Sequence, residues 1–138
     1  MNRHFHLKLK SSYQTDKNDI QDLAIEVLHD DKWEALDLNI RSPGFLLYIN
    51  ALFSCQHLYM RANSEECNLI LESSTGEIIV NAGEFWNLKD VTVSFNAKLK
   101  SGTPTEKNIK YISERMTHCP VSSNLPENLK MDISVIFS

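Results

Sequence analysis

The stretch SPGFLLYINALFSCQHLYMRAN, residues 42–63, predicts a long helix with Cys55 near its centre. Ser42 and Pro43 form a helix-start signal, a capping residue followed by a proline at the first helical position. Asn63 tolerates the left-handed backbone conformation that often follows a helix end. The side chains between these ends are apolar almost all round, so we expect a helix that is buried on most sides.

Length and charge favour one folded domain that spans residues 1–138. The net charge of −4 argues against nucleic acid or an anionic membrane as the main partner, because either usually requires a basic face. The polar residues Gln56, His57 and Arg61 argue against a membrane-spanning role for the long helix.

Three cysteines, an odd number, are more typical of a reducing compartment than of a secreted domain stapled by disulfides. The first residues, MNRHFHLKLK, alternate polar and apolar side chains and lack the continuous apolar core of a signal peptide. We therefore expect a cytoplasmic protein.

Apolar residues that alternate along the chain predict antiparallel strands around the helix. We expect strands at residues 4–10, 23–28, 33–40, 67–72, 77–80, 91–100 and 129–137, with turns at 29–32 and 73–76. This order of elements predicts an α+β fold, in which two helices share a core with about seven strands.

The second helix is predicted from a capping box, with Thr103 as the cap, Pro104 at the first helical position and Glu106 three residues after the cap. Its apolar stripe runs on to Cys119. Pro120 lacks a backbone donor and should kink or interrupt the helix just after that cysteine.

Cys55 and Cys119 lie on apolar faces of the two predicted helices. Helical periodicity places Tyr48 and Tyr59 on the side of Cys55, and Met116 on the side of Cys119. If the helices pack together, the two thiols form a candidate redox pair, in which one thiolate attacks an oxidant and the other closes a disulfide on the sulfenic acid. The alternative is that both cysteines fill space in the core, as free cysteine often does.

Cys67 alternates with Leu69 and Leu71 on the inward face of a predicted strand, which assigns it to packing. His4 and His6 share one face of the first strand, where they could clip a metal, although a solvated strand face is favoured.

A zinc site or a cysteine–histidine hydrolase would need His57 or His118 close to a thiol. Zinc sites usually show short paired spacings, and none is present here. His57 lies about 200° round the helix from Cys55, and His118 on a different face from Cys119. We therefore expect neither a metal nor a cofactor.

The segments around Cys55 and Cys119 resemble those of the OsmC/Ohr family, the osmotically inducible and organic hydroperoxide resistance proteins. One is SP-x-x-LL-x-x-x-AL-x-SC at Ser42–Cys55, and the other, more specific, is HCPVSSNL at His118–Leu125. Their order and spacing also agree, and the resemblance extends from about Ile40 to the C-terminus.

The resemblance implies an OsmC-like fold with antiparallel sheets, two central cysteine-bearing helices and an intertwined homodimer. It also implies a thiol peroxidase that reduces organic hydroperoxides to alcohols and is recycled by a small or protein-bound dithiol. Cys55 would be the peroxidatic cysteine and Cys119 the resolving one. An apolar wall around Cys55 would favour organic substrates; its candidate residues are Phe45, Tyr48, Leu52, Phe53 and Tyr59.

The peroxidases of that family carry a Glu shortly after the Pro that begins the first cysteine helix, and this Glu pairs with an Arg that holds the thiolate. Here Pro43 is followed by Gly44 and Phe45, with no carboxylate in the next positions. Arg41 and Arg115 are the candidate substitutes for the Arg. The lost Glu favours an alternative function, a non-catalytic OsmC-like dimer that binds an apolar ligand or senses oxidants.

Overall fold

The computed structural model describes residues 3–138, so Met1 and Asn2 of the predicted domain lie outside the described residues. Its elements are β1 (Arg3–Tyr13), β2 (Ile20–His29), β3 (Lys32–Ala35), α1 (Gly44–Glu66), β4 (Ile70–Ala82), β5 (Leu88–Ser101), α2 (Glu106–Met116), a 3₁₀ turn (Ser122–Asn124) and β6 (Lys130–Phe137). The predicted α+β class is confirmed.

The strands of the described region form one six-stranded sheet in the order β3-β2-β1-β4-β5-β6. All neighbours are antiparallel except β5 and β6, which run parallel. The antiparallel prediction was wrong for β6 because α2 carries the chain back to the end of the sheet where β5 began, as a parallel connection requires.

One face of the sheet is covered by the helices and holds the core. In β5, Val91, Val93, Phe95 and Ala97 are almost fully buried, while the residues between them are more exposed. Phe53 of α1 packs on Phe95 with ring centroids 6.0 Å apart. The predicted alternation of β5 is therefore confirmed.

The turn predicted at residues 73–76 is absent, because β4 runs through it as one strand. Its residues pair with β1 on one side and β5 on the other, and this pairing outweighs the local turn preference of the SSTG segment. Gly76 is needed here, since a Cβ at this position would lie 2.5 Å from Cε1 of Phe95.

The hairpin between β2 and β3 is confirmed, with both Asp30 and Asp31 of its turn at positive φ. Its second strand is shorter than predicted and ends at Ala35, although the Leu36 amide still donates to the Ile25 carbonyl at 2.8 Å. The chain then leaves the edge of the sheet to enter α1.

Helix α1 is confirmed, but it begins and ends later than predicted. Pro43 is the cap residue, whereas the Ser42 hydroxyl accepts a hydrogen bond from the backbone amide of Asn39 at 3.0 Å. The left-handed residue after the helix is Asn68, with φ 61°. Cys67 therefore lies at the helix end rather than in a strand, half-buried against the core. Neither helix within residues 3–138 is long and apolar enough to span a membrane.

Helix α2 begins with the capping box of Thr105 and Asn108 instead of the predicted Thr103 and Glu106. The backbone amide of Asn108 donates to Oγ1 of Thr105 at 3.1 Å, and the backbone amide of Thr105 donates to Oδ1 of the Asn108 side chain at 3.2 Å. The helix ends at Met116, earlier than predicted, and Cys119 lies in the turn that follows.

A buried polar cluster attaches α1 to the sheet. The hydroxyl of Tyr13 is hydrogen-bonded to Nε2 of His57 at 2.7 Å and also to the hydroxyl of Ser74. The ring of His57 stacks on Phe95 with centroids 5.7 Å apart. Buried polar groups normally require such partners, so this cluster sets the rotation of α1 against β1 and β4.

We expect Gly76→Ala to destabilise the protein by about 1–3 kcal/mol, because the new methyl group would force Phe95 out of its place in a packed core. Urea denaturation measures the free energy of unfolding. Gly44→Ala is the matched control, since nothing lies within 4 Å of the added Cβ at the first position of α1. Equal unfolding midpoints for the two variants would contradict the close packing of Phe95 on Gly76.

We also expect His57 to make stability depend on pH. Burial, and then the charge of Arg61, lower the pKa of His57 from 6.5 to about 3. The unfolded chain thus binds this proton at higher pH than the folded protein. The contribution of neutral His57 is complete above pH 6.5 and is lost as the pH falls toward 3.

Urea denaturation at pH 7 and at a lower pH measures this effect. His57→Gln should be less stable than the parent at pH 7 but should lose less stability on acidification. His29→Gln, at an exposed position, serves as the control. If His57→Gln and the parent lose the same free energy of unfolding on acidification, His57 does not carry the effect.

Candidate functional site

The structure brings Cys55 and Cys119 into direct interaction. Cys55 lies on α1, and Cys119 lies in the turn after α2, where α2 packs against α1. Each thiol perturbs the pKa of the other through a side-chain hydrogen bond. Both are free thiols, and Cys55 is half-buried while Cys119 is fully buried. An oxidant in solution therefore meets Cys55 first.

The side-chain amide of Gln56 joins α1 to the turn of Cys119. Its Nε2 atom donates to the Met116 carbonyl at 2.7 Å and to Sγ of Cys119 at 3.2 Å. Because a carbonyl can only accept, the NH₂ group and not the amide oxygen must face Met116. This fixes the amide orientation and directs its second N–H at the sulfur.

Ser122 contributes two further groups to Cys119. Its backbone amide donates to Sγ at 3.3 Å, and its hydroxyl lies 3.0 Å from the same atom. The hydroxyl also lies 2.9 Å from the Thr117 carbonyl, so its single proton serves either that oxygen or the sulfur. Rotation of this hydroxyl therefore allows it to donate to a thiolate when one forms.

The two thiols differ in acidity for these reasons. Burial, and then the hydrogen bond with Cys119, raise the pKa of Cys55 to about 11, although the Val121 backbone amide lowers it. Burial also acts to raise the pKa of Cys119, but the hydrogen bonds from Cys55, Ser122 and Gln56 together bring it below its usual value. The donors around the two sulfurs therefore favour a thiolate on Cys119 over one on Cys55.

Arg41 and Arg115, the candidate arginines, lie elsewhere, and so does Arg3, the other arginine before α1. The guanidinium of Arg3 stacks 3.9 Å above the Trp86 ring and donates to the Glu84 carbonyl at 3.3 Å. Arg41 and Arg115 are exposed, and neither is among the main causes of the pKa shift at either thiol. A nearby arginine therefore does not account for the acidity of Cys119.

The histidines that the sequence offered as metal ligands or as a catalytic base lie away from the thiols. His57 points to Tyr13 and the sheet, and His118 is exposed. In β1, Nδ1 of His4 is hydrogen-bonded to Asn81 at 2.7 Å, and Nε2 of His6 lies 3.6 Å from a Glu77 carboxylate oxygen. No group of three or more potential metal ligands occurs within residues 3–138.

The residues expected to form an apolar wall divide into two sets. Leu52 and Phe53 belong to the core, with side chains that are almost fully buried. Tyr48 and Tyr59 retain exposure on the side of Cys55, and Phe45 packs in an aromatic cluster with Phe5 and Trp86.

Sequence reasoning missed Gln56 and Ser122 as parts of the site. Gln56 is fully buried on the inner side of α1, where apolar residues predominate. A glutamine beside the cysteine in an apolar helix was the available signal, but its target in the turn after α2 depends on tertiary packing.

No protein-family model matches the sequence, and no curated protein matches it either. The solved structures that it resembles include OsmC-like proteins of very low sequence identity. An OsmC-like protein from Mycoplasma pneumoniae is 12% identical with a TM-score of 0.56, and the match covers 83% of this chain and 88% of that one.

Two others are similar over comparable lengths. An OsmC-like protein from Vibrio cholerae is 12% identical with a TM-score of 0.54, over 95% of this chain and 98% of that one. An OsmC-like hydroperoxide resistance protein from Jannaschia sp. is 15% identical with a TM-score of 0.52, over 88% of this chain and 85% of that one. The chain thus has the OsmC-like fold, and the resemblance to the OsmC/Ohr family predicted from its two cysteine motifs is confirmed at the level of the fold.

Proposed function

We propose that this chain is a thiol-dependent peroxidase that reduces organic hydroperoxides to alcohols through Cys55 and Cys119. The observation that carries the proposal is the direct interaction of a half-exposed thiol with a buried, hydrogen-bonded one. A sulfenic acid formed on the first thiol lies within reach of the second.

The reaction has two steps on the protein. The sulfur of Cys55 attacks the terminal oxygen of the hydroperoxide, and the O–O bond breaks. The alkoxide takes up the proton that the Cys55 thiol has lost and leaves as the alcohol. Cys55 becomes a sulfenic acid. The thiolate of Cys119 then attacks the Cys55 sulfur, forms the disulfide and expels hydroxide, which is protonated to water. A dithiol reductant returns the pair to the reduced state.

The surroundings of Cys55 support organic rather than small polar substrates. Tyr48, Leu58 and Tyr59 lie on its side of α1, and the first two are 38% and 48% exposed. An alkyl or acyl chain would bury part of this apolar surface on binding. The Jannaschia protein of the same fold is named as a hydroperoxide resistance protein, in agreement with such a substrate.

A homodimer is part of the proposal. The outward stripe of α1 consists of four exposed residues and the half-buried Cys55, which follow one another at helical spacing: Tyr48, Ala51, Cys55, Leu58 and Ala62. A second copy that packs on this stripe would bury its apolar side chains and enclose Cys55 at the subunit interface.

A second candidate function is a non-catalytic dimer that binds an apolar ligand or senses oxidants. The raised pKa of Cys55, about 11, favours it, because a thiol that is mostly protonated at neutral pH attacks peroxides slowly. Saturable binding of a fatty acid with no consumption of its hydroperoxide would support this candidate.

We expect one equivalent of cumene hydroperoxide to produce a Cys55–Cys119 disulfide, detected by mass spectrometry of peptides. Cys119→Ser should accumulate a sulfenic acid on Cys55 that dimedone traps, and Cys55→Ser should form neither product. Cys67→Ser is the matched control, since that thiol lies at the far end of α1, and it should form the disulfide normally. If both thiols survive in the folded protein, it is not a peroxidase.

We expect Leu58→Glu to convert a dimer into monomers, because a carboxylate in an apolar interface has no partner there. Light scattering coupled to size-exclusion chromatography measures the mass of the assembly in solution. Ile136→Glu, at a 61% exposed position of β6, introduces the same charge away from α1 and should leave the mass unchanged. A monomeric parent protein would contradict the proposed assembly.

A further inference from the structure

The buried side-chain amide of Gln56 is held in one orientation, and one of its atoms has no hydrogen-bond partner among the described residues. Its NH₂ group is used twice, on the Met116 carbonyl and on Sγ of Cys119. Its Oε1 atom is buried and accepts no hydrogen bond within the described residues. An unpaired buried acceptor lowers stability, because it has lost its hydrogen bonds to water and gained none in the protein. An apolar side chain of the same size would avoid that cost but would also remove the donor from the Met116 carbonyl. The contact that points to a role in the site is therefore the second N–H, which is directed at Sγ of Cys119.

The donors at the two sulfurs are unequal. Cys119 receives N–H groups from Gln56 and Ser122 and has the Ser122 hydroxyl at 3.0 Å. Pro120 has no N–H, so the next two amides of the turn are divided between the thiols, with Val121 directed to Cys55 and Ser122 to Cys119. A negative charge on the pair is therefore better stabilised at Cys119.

The charged groups around the pair do not reverse this preference. On α1, Tyr48 and Tyr59 lie on the side of Cys55, but neither is among the main causes of the pKa shift at either thiol, and His57 faces the sheet. On α2 and its turn, Arg115 and His118 are exposed. The main causes of the pKa shifts at both thiols are burial, each other, Gln56 and backbone or side-chain groups of the turn.

We infer that Gln56 is a positioning residue that, together with Ser122, holds the ionised sulfur of the pair on Cys119, and that this thiolate is the base that accepts the proton of Cys55 when Cys55 attacks the hydroperoxide. This inference rests on the proposed peroxidase function. Cys119 then takes the place of the Arg and Glu pair that is missing from the sequence.

The proton balance is complete without another group. Cys55–SH gives its proton to the Cys119 thiolate as its sulfur bonds to the terminal peroxide oxygen and the O–O bond breaks. The departing alkoxide takes a proton from Cys119, which leaves the alcohol, a Cys55 sulfenic acid and a Cys119 thiolate. That thiolate attacks the Cys55 sulfur, forms the disulfide and releases hydroxide. One cysteine thus serves first as base and then as resolving nucleophile.

The role of Gln56 is tested by titrating thiolate absorbance near 240 nm in a Cys67→Ser background, without any peroxide. Gln56→Met keeps the size of the side chain but has no N–H donors. We expect it to raise the midpoint of the first ionisation by about one pH unit, a tenfold change. Gln21→Met, at an exposed position of β2, is the matched control and should leave the midpoint unchanged. Equal midpoints in Gln56→Met and the control would overturn the role of Gln56.

The role of Cys119 as base is tested by the rate of sulfenic acid formation on Cys55 in Cys119→Ser, followed by dimedone trapping at pH 7. We expect a rate at least tenfold below that of peroxide consumption by the parent, because a serine is not ionised at this pH. Equal rates would overturn the base role and leave the peroxidase intact. If the parent consumes no peroxide, the base role fails together with the peroxidase, and the thiolate titration still decides the role of Gln56.

Discussion

The side-chain amide of Gln56 is the contact on which the candidate site depends. Backbone carbonyls in the last turn of a helix lack intrahelical partners, and Gln56 satisfies one of them, that of Met116, across the helix interface. The same amide reaches Cys119, so the end of α2 and the sulfur are positioned by one side chain of α1. Gln56 thus links α1, which carries Cys55, to the turn that carries Cys119.

Helix α1 performs two tasks with two consecutive polar residues. His57 faces the sheet and binds Tyr13, whereas Gln56, 100° away round the helix, faces α2. Each of the two side chains has a hydrogen-bond partner that is distant in sequence. This arrangement explains how a helix that is apolar almost all round is held in one rotational setting, in which Cys55 and Leu58 remain partly exposed.

Hydrogen-bond donors, and not a full positive charge, make Cys119 the more acidic thiol. Amide N–H groups that point at a buried sulfur stabilise its thiolate without the cost of burying a second ion. The raised pKa of Cys55 and the lowered pKa of Cys119 are two results of one arrangement, because the proton that both sulfurs attract stays on the sulfur with fewer donors. The proposed peroxidase reaction therefore depends on the two thiols as a unit.

Much of the fold was predictable from local patterns. The alternation in β5, the long apolar run of α1 and the turn at residues 29–32 are properties of neighbouring residues, and the structure contains all three. The break predicted at residues 73–76 was wrong because strands on both sides pair with β4, and this pairing outweighs the local preference. The parallel direction of β6 likewise depends on where α2 returns the chain.

The sequence by itself determined the element types, the two cysteine motifs and the resemblance to OsmC/Ohr proteins, because these are read from residue spacing along the chain. Tertiary structure alone decided that Gln56 reaches Cys119, that Arg3 stacks on Trp86, and that His57 pairs with Tyr13. The physical reason is that these contacts, and the pKa shifts that they cause, depend on which groups surround a side chain in space and not on its neighbours in the chain. Residues as far apart in the chain as Gln56 and Cys119 come into hydrogen-bond contact only when the helices pack.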